Sequence, residues 1–250
     1  MKSVNLIILA VLTLFLSFIF AFDVSAKEQP IGKITFLLGG PQDVLLKHKN
    51  QENWQPAKMN MAIYQADMLQ SKEESRCEVK LRDGGVIRIG ENTYFEFTNS
   101  IIKEKKLNTR TVLKRGKIWA NLSKRKGKSD FQIKAPTAVC AVRGTIFRVD
   151  GDTSTTCLVY DGTVDVGPVS LWGKPLPPGK GKSLEPEEVP GPHEVPPPYE
   201  VSLEEWVKIV KGFQIIVRPD GKYAKSKIDQ ASDAKLEWVQ WNRDMDARLK

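Results

Sequence analysis

The sequence predicts a mainly β protein of stacked antiparallel sheets, a sandwich, roll or solenoid, followed by a proline-rich linker and a small helical C-terminal region. Three observations predict it. First, 137–166 holds two β-branched, apolar-rich runs, Val139 to Val149 and Thr155 to Tyr160, separated by the turn Asp150-Gly151-Asp152, which is a hairpin pattern. Second, Cys77, Val79 and Leu81 alternate with Glu78, Lys80 and Arg82, and Asp83-Gly84-Gly85 then turns the chain into Ile87 and Ile89 around Arg88. Such a pattern gives each strand one apolar and one charged face. Third, about ten short runs of this kind recur with turn residues every eight to twelve positions and no helix-period segment between them before the prolines.

The chain opens with Met1-Lys2-Ser3 and an uncharged apolar stretch, Val4 to Phe22, ending at Val24-Ser25-Ala26. Residues 1–26 therefore form a signal peptide cleaved before Lys27, or an N-terminal anchor if uncleaved. Both place the remainder outside the cytoplasm, periplasmic or secreted. No cysteine near the junction indicates a lipoprotein.

Residues 27–170 carry the β domain. Ile34 to Leu38 and Val44 to Leu46 are strands split by Gly39-Gly40-Pro41, and Trp54, Met59, Met61, Ile63 and Tyr64 resume the apolar pattern, with Asp67 turning the chain. Further strands fall at Tyr94 to Phe97 and Leu107 to Leu113. Ile118, Ala120 and Leu122 share one face with Trp119 on the other, and Phe131, Ile133 and Ala135 follow. Thr163 to Val166, after Asp161-Gly162, closes the set. Within the long run Val139 to Val149, Gly144 marks a bulge or a close backbone approach. Arg143 beside it is held by a carboxylate or carbonyls at the sheet edge, or serves an anion or a partner.

Residues 171–201 form the linker, with nine prolines between Pro175 and Pro198. Such a segment supplies no sheet hydrogen bonds and extends over the surface, or serves a partner as a proline-rich ligand. In 202–250, Ser202 with Glu205 makes a capping box for a short helix through Leu203, Trp206, Val207, Ile209 and Val210, ending near Gly212. Phe213 to Val217 is a strand closed by Pro219-Asp220-Gly221. Ser226 to Leu249 is a final helix whose stripe, including Trp238 and Trp241, docks on the sheets.

Three motifs in order carry a family resemblance: Gln65-Ala66-Asp67-Met68-Leu69, Val79-Lys-Leu-Arg-Asp-Gly-Gly-Val-Ile-Arg-Ile, and the 135–166 segment with Ala-Pro-Thr-Ala-Val, Val-Arg-Gly-Thr-x-Phe and Tyr-Asp-Gly-Thr-Val-Asp-Val. Residues 60 to 167 resemble the FecR domain family, with Ala66 where the family has Gly and Gly85 where it has Ser. The resemblance implies an extracytoplasmic all-β module. In the iron-citrate system the parent protein relays a signal from an outer-membrane receptor to a sigma factor through a cytoplasmic anti-sigma segment. Here only three residues precede the apolar stretch, so that relay is not expected, and the receptor-contacting C-terminal domain has no counterpart in the helix-rich end.

The 250 residues include 41% hydrophobic ones, enough for a real core, and carry a net charge of +8. From Ile101 to Lys134 twelve basic residues face Glu104 and Asp130 alone. Lys124, Arg125, Lys126 and Lys128 fall on a hairpin loop there, either a solvated loop that keeps strands from pairing edge to edge or a site for an anionic partner. Export argues against nucleic acid and leaves anionic lipid, wall polymer or an acidic protein face. Cys77, Cys140 and Cys157 are an odd set; Cys140 and Cys157 fall on neighbouring strands out of register, so buried thiols are the default and a disulfide the alternative. His48 and His193 lie in no zinc spacing, and nucleophile elbows and phosphate loops are missing. Asp150 with Asp152 reads as a hydrated turn before a cation site. No catalytic residue, metal or cofactor is assigned, which leaves a hydrolase of wall material least favoured. The function expected is a non-enzymatic binding or scaffold module recognising an envelope protein or anionic polymer; the alternative is a sensory component partnering a separate membrane transducer, and membrane contact would run through an uncleaved N-terminal segment.

Overall fold

A computed structural model describes residues 28–103, 106–123, 130–174 and 201–249. The expected signal or anchor segment and nearly all of the proline-rich stretch lie outside the described residues, as do Lys124, Arg125, Lys126 and Lys128. Among the described residues no helix is long and apolar enough to cross a membrane.

The chain is mainly β. Its strands are β1 (Gly32–Leu38), β2 (Val44–Lys47), β3 (Gln55–Pro56), β4 (Ala62–Ile63), β5 (Met68–Ser71), β6 (Arg76–Leu81), β7 (Val86–Ile89), β8 (Tyr94–Lys103) and β9 (Lys106–Asn121). They continue with β10 (Phe131–Lys134), β11 (Val139–Val142), β12 (Ile146–Gly151), β13 (Thr155–Asp161), β14 (Thr163–Gly167), β15 (Val201–Ser202), β16 (Val207–Val210), β17 (Phe213–Val217) and β18 (Lys222–Lys227). Two helices, α1 (Gln230–Asp233) and α2 (Glu237–Ala247), end the chain.

Two layers share the long strand β9. In the first sheet the order is β4-β1-β6-β7-β9-β12-β13-β17-β18-β15. In the second it is β3-β2-β5-β8-β9-β10-β11-β14-β16, with β9 and β10 parallel. The inward side chains of both sheets, among them Ile34, Val79, Ile118, Phe147 and Val159 from the first and Leu69, Phe95, Phe131, Ile133 and Val166 from the second, form one buried cluster. Alternate burial follows from the two-residue period of a strand.

The path between layers is set at corners. Of twelve described residues with positive φ, nine stand where the chain passes from one sheet to the other: Gly39, Asn60, Ala66, Glu74, Asn92, Gly116, Gly144, Gly162 and Gly212. Gly116 shows why one of them admits no side chain. There β9 leaves the second sheet and joins the first with φ 97°, and a Cβ would stand 2.4 Å from the Thr93 Cα.

Gly144 is neither a bulge nor a close approach. An added Cβ would meet nothing within 4 Å, but φ is 62°, and the long run divides here into β11 in the second sheet and β12 in the first. The expected hairpin of Val139–Val149 with Thr155–Tyr160 is therefore only its second half, in which Val149 opposes Cys157. Cys140 and Cys157 consequently lie in opposite sheets, not on neighbouring strands. All three cysteines are buried free thiols. The Cys157 thiol is pushed well up by a hydrogen bond with Cys140 and by burial, and burial holds the Cys77 thiol up to about 12.

The C-terminal region corrects the largest expectation. Residues 202–212 are not a helix: β16 pairs with β14 from Val207 opposite Val166 to Val210 opposite Thr163. Spacing at Leu203, Trp206, Val207 and Val210 imitates a helical stripe, but a partner strand lies beside it, and Trp206 packs on Gly167. β17 stands where expected and completes the first sheet against β13. The final helix is also shorter than 226–249, because β18 runs to Lys227 and Asp229 then caps α1 by accepting from the backbone N–H of Ala231 at 3.1 Å and of Ser232 at 3.2 Å.

Ala66 occupies a left-handed corner, φ 64°, that a non-glycine residue holds at a cost. Replacing it removes about 1–2 kcal/mol of steric strain and adds part of that back as unfolded-chain entropy. Ala66→Gly should therefore raise stability by about 0.5–1 kcal/mol, read as a higher urea midpoint with unchanged slope.

A charged cleft under the C-terminal helix

The outward face of the first sheet is not solvated. Arg76 and Glu78 of β6, Arg88 of β7, Trp119 of β9, Arg148 and Asp150 of β12 and Tyr160 of β13 all point away from the core because their neighbours point into it. Helix α2 lies over them. Trp238 and Val239 pack on Trp119, with Ile146, Tyr160 and Trp241 beside them, and Trp119 stacks on Tyr160 at 4.4 Å.

At the centre Arg88 is wholly buried. Its Nε donates to Glu78 Oε2 at 2.8 Å and its Nη1 to Asp246 Oδ1 at 2.7 Å and to the Asn242 carbonyl at 3.2 Å. Trp119 Nε1 donates to the other Asp246 oxygen at 3.0 Å, and Thr35 Oγ1 donates to Glu78 Oε1 at 2.6 Å. A second knot lies to one side. Arg148 Nε donates to Asp150 Oδ2 at 2.9 Å and Nη1 to Asp233 Oδ1 at 3.1 Å, where the Tyr160 hydroxyl also donates at 3.1 Å. Arg76 binds Glu237 at the start of α2 and lies 5.4 Å from the Trp238 ring centre.

Between this helix start and the β9–β12 edge opens a cleft of about 790 Å³, lined among others by Arg76, Arg115, Lys117, Arg148, Asp152 and Glu237. Lys117 reaches Glu91 at 2.9 Å across it. The hydrogen bond from Lys117 holds the Glu91 carboxyl below its usual range, and the one from Arg76 does the same for Glu237. Burial pushes Asp150 up in spite of Arg148, and burial likewise raises the Tyr160 phenol. Of six buried side-chain polar atoms without a hydrogen-bond partner among the described residues, four lie at this seam: Arg88 Nη2, Asp150 Oδ1, Asp233 Oδ2 and Trp238 Nε1. Three of the four carboxylates that line the cleft are engaged, Glu91 by Lys117, Asp150 by Arg148 and Glu237 by Arg76, while Asp152 is exposed.

The residues singled out in the sequence fall elsewhere. Arg143 is exposed and its Nε donates to Asp130 Oδ1 at 2.8 Å. Thr145 is fully buried and its hydroxyl donates to the carbonyls of Arg143 at 3.2 Å and Thr163 at 2.8 Å. A Cβ on Gly162 would meet that hydroxyl at 2.9 Å. The Arg-Gly-Thr element is thus a pinned corner. His48 lies on the other sheet's loop, with Nδ1 2.9 Å from Asp67 Oδ1, and Asp67 also accepts from the Tyr64 N–H at 2.8 Å. What the sequence reading missed is that Glu78 and Arg88 belong to a buried face. The one signal for it was the acid and tryptophan content of the last helix.

The family model described as FecR protein matches residues 67–165. The matched segment runs from just before β5 into β14 and includes the Arg-Gly-Thr corner. Two crystal structures of a candidate anti-sigma factor from Parabacteroides distasonis ATCC 8503 are similar at 18% and 16% identity, with TM-scores of 0.45 and 0.44 over 69% and 67% of this chain. The chain spans 64% and 63% of those two chains. Comparison with curated proteins gives no match.

Removing one member of a buried ionic network leaves the others unpaired, at about 3–5 kcal/mol. Arg88→Met alone should cost that much in urea unfolding, and adding Glu78→Gln with Asp246→Asn should restore at least half. Acid gives a second check. Glu91 and Glu237 have lowered values, so their contribution is complete above the ordinary 4.5 and fades as pH falls through the lowered values. Asp150, raised, acts in the opposite sense and loses its contribution as pH rises through its folded value. Emission from Trp238 should therefore report loosening of the helix start below pH 4.5, and Glu237→Gln should remove most of that transition.

Proposed function

We propose that this chain is a non-enzymatic binding module of the bacterial cell envelope, periplasmic or secreted, that grips an envelope protein or an anionic polymer. The observation that carries this reading is the cleft beneath α2. Arg76, Lys117 and Arg148 in its wall are held by carboxylates, Arg115 and Asp152 are exposed, and among the described residues Asp150 Oδ1 and Trp238 Nε1 are buried without a hydrogen-bond partner. Such a wall recognises charge and shape. The basic run Lys124, Arg125, Lys126 and Lys128 adds a second, long-range attraction for anionic surfaces.

A second reading is favoured by the FecR match at 67–165. In it the module is the sensory part of an envelope signalling system and passes its bound state to a separate membrane transducer. The two readings differ in what is held, not in how.

Capture from envelope extract tests both. The chain should retain a defined partner after cross-linking, and the exposed cleft pair Arg115→Glu with Asp152→Lys should reduce recovery at least tenfold. Neutralising Lys124, Arg125, Lys126 and Lys128 to Gln should weaken capture mainly at low salt. A membrane signalling protein among the captured species selects the sensory reading; equal recovery by all variants overturns the binding role of cleft and loop.

A further inference from the structure

The outward face of the first sheet treats its cations in two ways. Under α2 each arginine is given a carboxylate: Arg76 has Glu237, Arg88 has Glu78 and Asp246, Arg148 has Asp150 and Asp233. Beyond the C-terminal end of the helix the same face carries Lys33, Lys80 and Arg82, and none of them forms an ion pair with a carboxylate among the described residues. Lys33 and Lys80 stand directly opposite each other on β1 and β6. Like charges placed opposite in a sheet destabilise it, so this pair is a liability unless something negative sits between them.

These three cations converge on one groove of about 730 Å³, with no acidic residue among the described residues that line it. Two carboxamides, Asn60 and Asn121, stand among them, and Lys33 Nζ reaches Asn60 Oδ1 at 3.5 Å. Arg82 donates to Gln29, a neutral partner that leaves its charge unbalanced. The rest of the lining includes Pro30, Ala62 and Leu249, which are aliphatic. Concentrated positive charge beside an aliphatic wall matches a ligand with an anionic head and an apolar shoulder. Chain length places it near a bilayer as well. The apolar stretch Val4 to Phe22 ends eight residues before Pro30, so an attached stretch holds the groove within about 28 Å of its own end at roughly 3.5 Å per residue.

We infer that the Lys33–Lys80–Arg82 groove binds the phosphate headgroup of an anionic glycerophospholipid. The guanidinium of Arg82 takes the phosphate oxygens in its planar fork, the two ammonium groups neutralise the remaining charge, and the glycerol and first acyl carbons lie on Pro30 and Ala62. The nearness to a bilayer rests on the membrane-attached form of the envelope module proposed above; the groove's charge does not.

The test is calorimetric titration of the purified full chain with monomeric dihexanoyl phosphatidylglycerol. Saturable one-to-one binding is expected, weakening at least tenfold between 50 and 500 mM salt. Lys33→Gln, Lys80→Gln and Arg82→Gln together should lower affinity at least tenfold while leaving the thermal midpoint at or above that of the unaltered protein, since all three side chains are exposed. The loop variant and the cleft variant described above should bind as the unaltered chain does, which separates this site from those. Dihexanoyl phosphatidylcholine should bind at least tenfold more weakly. Undiminished binding by the triple variant overturns the site. Inorganic phosphate or a short polyglutamate binding as tightly as the lipid overturns the assignment of the ligand.

Discussion

The architecture depends on the corners at which the chain changes sheet. A two-layer sandwich built by short strands that keep crossing between layers must reverse its pleat repeatedly, and an L-residue backbone does that most compactly in the left-handed region. Glycine supplies it at Gly39, Gly116, Gly144, Gly162 and Gly212, while Asn60, Ala66, Glu74 and Asn92 hold it against a steric cost. Once these corners are set, inward and outward faces follow from strand alternation alone. The core then closes as one apolar cluster drawn from both layers.

The Arg-Gly-Thr element gains its meaning from that requirement. Gly144 makes the turn, Thr145 ties it to the carbonyl of Thr163 in the next crossing, and Arg143 ties it outward to Asp130. Because Gly162 must lie close to the Thr145 hydroxyl, two successive crossings lock each other. The motif is therefore architectural, and the charged surfaces are those that the architecture leaves outside.

Those surfaces lie on one face of one sheet. Where α2 covers it, buried arginine and carboxylate groups settle their charges within the molecule, at the expense of several polar atoms left without hydrogen bonds. Where α2 ends, Lys33, Lys80 and Arg82 have no such partner among the described residues. The helix thus divides a continuous row of cations into an internal network and an external one, and the charged cleft opens at the opposite end of the same helix.

Much of this was legible from composition and spacing. Alternation at Cys77–Ile89, the turn at Pro219-Asp220-Gly221, the β17 strand and the docking of the last helix all rest on local chemistry that tertiary context did not override. Other features needed contacts between distant residues. The stripe at Leu203, Trp206, Val207 and Val210 suits a helix as well as a strand, and only pairing with β14 chooses between them. The charged positions Glu78 and Arg88 look solvated in sequence because what buries them is a helix whose Asn242 lies 154 residues beyond Arg88. Strand identity is a local property, set by which side chains alternate; the layer a strand joins, and whether its outer face meets water or a helix, is decided by long-range pairing that no local pattern encodes.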